Sequence, residues 1–567
     1  MRWTLKEAPD ENSSITLSAQ LGVSQVVSDL LLQRGVDTFD KAKTFFRPSL
    51  DELHDPFLMK DMDKAVSRIL QAIDTNERIL VYGDYDVDGT TSVALMSSYL
   101  KTHMPFVDTY IPDRYDEGYG VSYKGIDYAA DNEMNLIIAL DCGIKAIEKI
   151  HYAKEKGIDF IICDHHRPGD KIPDAVAVLD PKRGDCAYPY KELCGCGVGF
   201  KLISAISITR KENFETLHSY LDLVATAIGA DIVPITGENR ILAYHGLQVI
   251  NSAPRAGFKA IIEHTKKHSL TITDVVFIIA PRINAAGRMK HGDYAVSLLI
   301  QNEYTTACQY ALEIEQYNKD RKTVEEQITQ EAVQQLIDNK EEVRFTSVVL
   351  GTSWHKGVIG IVASRLIEKY YRPTLIFTKN GDRLAASARS VRGFDVYNAL
   401  EACSEYIEQF GGHKYAAGLT ILPDNYEQFK AKFEEVVSIT IKPEHLTPEL
   451  NIDTEINFSD ITPKFYRIIS QFAPFGPGNM RPQFLSRNIK DTGYAKAVGN
   501  PANHLKAKLE PQEDKTSNSF DVIGFNLAAK LDLLKDKNQV DIVYNIEENT
   551  WNDKTTIQLR LKDIAVH

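Results

Sequence analysis

The sequence predicts an α/β protein: a parallel-sheet domain joined by a long helix to a second, smaller α/β domain, with a small β-barrel at the C-terminal end. Three observations predict it. Apolar strand-like runs alternate with helix-like segments through the first half, a polar stretch without Gly or Pro follows, and short alternating strands close the chain. At roughly 100–200 residues per domain, 567 residues suggest three or four domains. With 43% hydrophobic and 25% charged residues, each can bury a core.

Taken in order, residues 1–60 read as an N-terminal extension packed on the core. A domain spanning 61–303 follows. In it RILVYG (78–83) is a β-rich run leading into a helical pattern from Thr90 to about His103. NLIIALD (135–141) precedes the helix-like IKAIEKIHYAKEKG, and IDFIICD (158–164) ends in a loop with Pro168. These runs are apolar throughout rather than alternating, as parallel strands buried on both faces require. Residues 304–340 are polar and helix-forming, which predicts one connecting helix. FTSVVLG, RPTLIFTKNG and RLAASAR read as strands of a second domain, 341–440. FDVIGFN, VDIVYNI and TIQLRLKDI carry the barrel pattern into 441–567.

Composition excludes several function classes. MRWTLKEAPDENSS lacks a signal-peptide core, and the longest apolar runs, such as LIIAL (136–140), are too short to span a bilayer. Seven Cys, an odd number, lie mostly in apolar segments and read as reduced thiols. The expectation is a soluble cytoplasmic protein with no membrane partner. Cys194 and Cys196 form a C-x-C without a second pair, which reads as a packed glycine-rich turn rather than a zinc site. The net charge of -13 argues against non-specific coating of nucleic acid, so a polyanion must bind a patch.

The most informative run is Gly83-Asp84-Tyr85-Asp86-Val87-Asp88-Gly89, directly after a strand. If strand geometry continues, the three carboxylates point the same way. Their mutual repulsion demands either full solvation or a bound cation. The run also opens like an EF-hand loop, but the twelfth position is Leu95 and no helix precedes it, so that reading fails. The carboxyl ends of parallel strands are where such sheets build sites, which favours the metal. Two further strands end alike, at Asp141 and at Asp164-His165-His166. Asp231 follows the apolar LVATAIGA; alone it reads as a helix-end residue. Many carboxylates, imidazole and no thiolate suit two Mn²⁺ or Mg²⁺ ions and phosphoester hydrolysis by metal-activated water.

GDYDVDG, ALDCG, CDHH and AIGADIVP resemble, in order and separation, the motifs of the DHH phosphoesterases. The resemblance implies a DHH catalytic domain whose dinuclear centre uses Asp86, Asp88, Asp141, His165 and Asp231, with Asp84 alongside. It implies that His166 faces the phosphate as a catalytic group and that Asp164 orients a neighbouring His. One departure is visible: relatives such as the family's pyrophosphatases carry a ligand His where this chain has Tyr82, and Asp84 is the candidate substitute.

PRINAAGRM (281–289), SWHKGVIGIVASRL (353–366), ASARS (386–390) and GGHKYAAGLTI (411–421) resemble the bacterial single-stranded-DNA-specific exonucleases of this family. FAPFGPGNMRPQF (472–484) resembles their oligonucleotide-binding, OB-like barrel, with Met480 where Pro is expected. This implies a 5′→3′ exonuclease releasing mononucleotides in recombination and repair. The expected setting is a monomer cooperating with a single-strand-binding protein and a helicase.

Residue chemistry agrees. Gly411-Gly412-His413 lets backbone N–H groups and an imidazole approach a phosphate, or else is a structural turn. Arg389, beside Ser387, can fork onto phosphate oxygens, and Arg282, Arg288, His355 and Arg365 are further candidates, each also readable as an ordinary surface ion-pair residue. Between Val348 and Leu419 nine Lys and Arg stand against six Asp and Glu, a basic island expected to face the acidic site across a cleft. Phe475 and Phe484 are candidates for base stacking or for the core. Two other functions remain at this stage: a phosphodiesterase of short oligonucleotides or cyclic dinucleotides, and a non-catalytic DNA-binding scaffold.

Overall fold

The computed structural model describes residues 1–265, 267, 269–512, 518–552 and 554–566. A short strand, β1 (Arg2–Leu5), opens the chain. The first domain is built on five strands: β2 (Ile79–Gly83), β3 (Val107–Tyr110), β4 (Leu136–Leu140), β5 (Asp159–Cys163) and β6 (Ala177–Leu179). They pair all-parallel in the order β3-β2-β4-β5-β6. Every residue of β2 and β4 is buried, because helices cover both faces. Val81 and Ile138 pack toward helices Val87–Leu100 and Gly195–Arg210; Leu80, Tyr82 and Ile137 pack toward Tyr123–Asp131 and Ile147–Glu155. Each fully buried aliphatic chain contributes about 1.5–3 kcal/mol, which explains uninterrupted apolar runs in place of alternation.

Helix Tyr304–Asp338 runs for 35 residues, about 50 Å at 1.5 Å per residue. Its buried stripe changes partner along its length. Ala311 and Ile314 join the first domain's core, whereas Ile328, Ala332 and Leu336 join Val349, Val362 and Leu366 of the second domain. Between these apolar halves lie buried Asn318, Arg321 and Glu325.

The second domain has strands β7 (Ser347–Leu350), β8 (Thr374–Asn380), β9 (Arg383–Arg389), β10 (Gln409–His413) and β11 (Ala416–Ile421). Their order is β10-β11-β9-β8-β7, with only β7 and β8 parallel. A strand β12 (Glu449–Ile452) then pairs in parallel with β1. The remaining strands form the barrel: β13 (Thr454–Glu455), β14 (Phe484–Asp491), β15 (Lys496–Val498), β16 (His504–Pro511), β17 (Phe520–Gly524), β18 (Val540–Trp551) and β19 (Lys554–Val566). It closes because β14 pairs with both β18 and β16.

The N-terminal helices put Leu17, Val27, Leu30, Leu31 and Phe45 into one core with the barrel's Phe465, Phe472, Phe484 and Tyr544. The extension read on residues 1–60 thus packs mainly on the C-terminal unit. Phe484 is fully buried there, which settles it as core. Among the described residues no single helix is long and apolar enough to cross a membrane.

Candidate metal centre

The carboxylate run leaves strand geometry at once. β2 ends at Gly83, Asp86 caps the helix Val87–Leu100, and Asp88 lies in that helix's first turn. The expected same-side alternation therefore does not hold; a strand-to-helix turn gathers the carboxylates instead. Gly89 permits it, since a Cβ there would meet the Asp84 carbonyl oxygen at 2.3 Å. Asp86 Oδ1 accepts from the Gly89 N–H at 3.0 Å, the usual N-cap bond.

Asp88 is held by a second helix start. Its two oxygens accept from the Gly195 and Cys196 N–H groups, both at 2.7 Å. These donors belong to the first turn of Gly195–Arg210, where the helix dipole favours a carboxylate. The C-x-C segment, expected to be a packed turn, thus braces a site residue. Its glycine is required by close approach: a Cβ on Gly195 would lie 2.6 Å from the Asp141 Cβ. Asp141 follows β4 in the left-handed region at φ 60°, a conformation a non-glycine residue holds only when its surroundings enforce it.

His165 is the common member of two clusters. Ligand atoms of Asp88, His165 and Asp231 lie within 4.8 Å of one another, as do those of Asp141, His165 and His166. His165 Nε2 is 3.1 Å from Asp141 Oδ1, 3.6 Å from Asp231 Oδ2 and 3.8 Å from Asp88 Oδ2. Asp84 and Asp86 are not in these two groups. The Asp86 charge nevertheless acts on Asp84, Asp88, Asp141 and Asp231. Tyr82 stays out of the site: it is buried against Tyr110 and donates to the Gly120 carbonyl.

Electrostatics set the protonation states. Burial, then the Asp86 charge, pushes Asp84 up to about 8 and Asp231 up to about 7. Burial and neighbouring carboxylates raise Asp88 and Asp141 well above the ordinary range. Burial, then His166, depresses His165 to about 3, so it is neutral and offers lone pairs. Buried Asp84 Oδ2, Asp141 Oδ1 and both His165 ring nitrogens have no hydrogen-bond partner. A neutral imidazole facing unpartnered carboxylate oxygens is unfavourable unless a metal ion, or in its absence a proton, lies among them. The donor set, all oxygen and imidazole nitrogen, fits Mn²⁺ or Mg²⁺.

His166 behaves oppositely. Burial disfavours its charge, but the hydrogen bond and charge of Asp164 outweigh this and lift it to about 9. Asp164 is fully buried, yet His166 and the Ile144 N–H offset burial and hold it at about 2. Tyr119, absent from the sequence-derived set, touches both parts. Its hydroxyl donates to the Asp141 carbonyl at 3.1 Å and lies 3.1 Å from His166 Nε2. Its only sequence signal is its place between Gly118 and Gly120, both at positive φ.

The phosphate candidates divide. Arg288 and Arg389 are half-buried, and neither forms an ion pair with a carboxylate among the described residues. Arg288 donates to the Gly357 carbonyl at 2.9 Å; Arg389 donates to Ser387 Oγ at 2.9 Å. Burial, then the charges of Arg114 and Arg389, depresses Arg288 to about 10. Gly287, next to Arg288, packs on the Tyr85 backbone between Asp84 and Asp86, which brings this cationic group beside the carboxylates. His355 is half-buried in the same junction, its ring edge-on to Tyr115. Arg282 and Arg365 are instead committed to carboxylates, Glu315 at 2.6 Å and Glu325 at 2.8 Å. Gly411, Gly412 and His413 lie exposed on β10 at the sheet edge. There Gly412, at φ 148°, leaves room for the Ala416 carbonyl.

The expected basic island is partly neutralised. Arg365, Arg383 and Arg392 pair with Glu325, Glu408 and Glu449, and buried Arg372 donates to the carbonyls of Glu341, Glu342 and Arg344. Unpaired Arg389 matters more than the count.

A parallel sheet whose strand ends gather carboxylates and a paired His into two adjoining cation clusters defines a DHH-family protein. Family models agree: the DHH family N-terminal domain matches residues 78–228, the DHHA1 domain 342–438 and the RecJ OB domain 452–563. The single-stranded-DNA-specific exonuclease RecJ of Bacillus subtilis is 35% identical over 570 residues, covering 100% of this chain and 71% of that protein. RecJ of Haemophilus influenzae is 32% identical, covering 90% and 92%. The crystal structure of Thermus thermophilus RecJ in complex with Mn²⁺ superposes with a TM-score of 0.84 at 25% identity, covering 100% of this chain and 79% of that one. A manganese-bound exonuclease RecJ gives 0.62 at 30% identity, covering 70% and 99%. The chain belongs to the RecJ family.

Proposed function

We propose that this protein is a single-stranded-DNA-specific exonuclease that hydrolyses phosphodiesters in the 5′→3′ direction and releases mononucleotides, in recombination and repair. One observation carries the reading: a largely buried pair of cation clusters sharing His165 lies beside the segment of Arg288, which, like Arg389, has no carboxylate partner among the described residues. Together they fit a phosphodiester and the metal that activates its hydrolysis. The barrel of this chain, and relatives of near-equal length named single-stranded-DNA-specific exonucleases, support a polymer substrate over cyclic dinucleotides.

Asp86, Asp88, Asp141, His165 and Asp231 would hold two divalent cations, Mn²⁺ or Mg²⁺, with Asp84 alongside. Bound there, the cations supply Lewis acidity that lowers the pKa of water and neutralises charge at phosphorus. His166, kept charged by Asp164, donates to a phosphate oxygen. Arg288, Arg389 and Ser387 bind a neighbouring phosphate, with His355 and the β10 edge at Gly411-Gly412-His413 extending the track. The step is a direct displacement by water, with no side chain as nucleophile. Cooperation with a single-strand-binding protein and a helicase, a monomeric state and a cytoplasmic location complete the reading.

Oligonucleotides labelled at either end, single- or double-stranded, test it with and without Mn²⁺. Expected is Mn²⁺-dependent release of labelled mononucleotide from 5′-labelled single strands at the earliest times. Early release from the 3′ end, or equal digestion of duplex, contradicts it.

A further inference from the structure

Asp231 differs from the other ligands of the cluster. It ends helix Leu221–Ala230 instead of a strand, its side chain is 27% exposed, and among the described residues no protein N–H donates to its carboxylate. The chain then turns sharply, with Ile232 exposed at φ 60°, and re-enters helix Gly237–Ser252 five residues later. Within the first domain the link is held at Pro234, whose carbonyl accepts from Asn239 at 3.1 Å and from the Tyr190 hydroxyl at 3.3 Å.

The barrel holds it as well. Its loop 471–483, between helix Pro463–Ser470 and β14, lies against the link. The Ile235 N–H donates to the Pro477 carbonyl at 2.7 Å. A Cβ on Gly476 would meet Ile235 Cγ1 at 2.5 Å, and one on Gly478 would meet Thr236 Cγ2 at 2.9 Å. Arg240 then anchors the loop. Its guanidinium is buried without a carboxylate and donates to the carbonyls of Phe472 at 2.7 Å, Ala473 at 3.0 Å and Phe45 at 2.8 Å. Asn479 closes the loop on itself by donating to the Phe472 and Pro474 carbonyls. Part of the segment that resembled an oligonucleotide-binding element packs onto the five residues behind Asp231, while Met480 stays exposed.

We propose that loop 471–483 positions Asp231 for metal binding by clamping the link 232–236, so that the barrel is part of the metal site's support. This rests on Asp231 being a ligand. An orienting contact behind a ligand is worth about 10- to 100-fold in metal affinity.

Calorimetric Mn²⁺ titration of the full-length protein tests it with three variants. Gly476→Ala should weaken Mn²⁺ binding about tenfold, and Gly476→Ala with Ile235→Ala, which removes the clashing atoms, should recover most of it. Asp231→Asn is the control. If it leaves Mn²⁺ affinity unchanged, Asp231 is no ligand and the underlying reading fails. If it weakens binding while Gly476→Ala does not, the clamp alone is overturned. Hydrogen exchange on the wild type decides should Gly476→Ala fail to fold. Mn²⁺ should increase protection of peptides covering 232–240 and 472–480 together, whereas protection confined to the former contradicts the clamp.

Discussion

Asp164 Oδ1 lies 2.7 Å from His166 Nδ1 and also accepts the His165 and His166 backbone N–H groups. One buried carboxylate therefore fixes the ring orientation and charge of the half-buried His166 imidazole while its neighbour stays neutral for metal. Replacing Asp164 with Asn keeps the shape and removes the charge. The kcat should fall by about a hundredfold or more, with the Mn²⁺ midpoint changed far less; steady-state kinetics at several Mn²⁺ concentrations separates the two.

Gly195→Ala tests the helix start behind Asp88. The new methyl would sit 2.6 Å from the Asp141 Cβ and 2.8 Å from its Oδ1. Helix propensity alone favours the change by up to about 1 kcal/mol. A loss of Mn²⁺ affinity of about tenfold or more, with the metal-free melting temperature nearly held, is therefore a displaced ligand, measured by calorimetry.

The pH dependence of metal-free stability follows from the raised carboxylates. Asp84 near 8 and Asp231 near 7 compare with 3.8 in the unfolded chain. The native state thus holds protons that the unfolded chain has released. The linked stability is complete below about pH 4 and is lost as pH rises through 7 and 8. Melting temperature without metal should fall from about pH 5 to about pH 8.5, and the increment from added Mn²⁺ should grow over the same window. Calorimetric scans with and without Mn²⁺ check this.

Arg389→Gln removes a junction arginine that forms no ion pair with a carboxylate among the described residues. KM for single strands should rise, and the slope of log affinity against log salt should shrink by about one, leaving the Mn²⁺ midpoint in place. Arg282→Gln, which breaks the Glu315 pair and the bond to the Ile278 carbonyl, should change neither. Binding titrations across salt concentrations distinguish them.

Much of the candidate site was legible because several of its residues follow a conspicuous apolar run: Asp84 after Tyr82-Gly83, Asp141 after Leu140, Asp164 after Cys163, Asp231 after the helix ending at Ala230. The contributors that were not legible act through backbone or distance. Gly195 and Cys196 offer only N–H groups and lie 107 and 108 residues from Asp88. A short glycine-spaced run before an apolar helix was their one signal. Arginine identity alone did not separate Arg389 from Arg365, because the difference lies in Glu325, forty residues earlier on another element. The barrel's strands were readable from their alternation; its inward-facing loop was not, since only the fold brings Pro477 to Ile235.

The central claim is that the His165 clusters hold the metal that cuts single-stranded DNA. Digestion of an end-labelled single strand by Asp141→Ala, beside wild type at saturating Mn²⁺, tests it most directly. The variant should bind DNA and release no mononucleotide. Full hydrolysis by Asp141→Ala with Mn²⁺ would contradict the assignment.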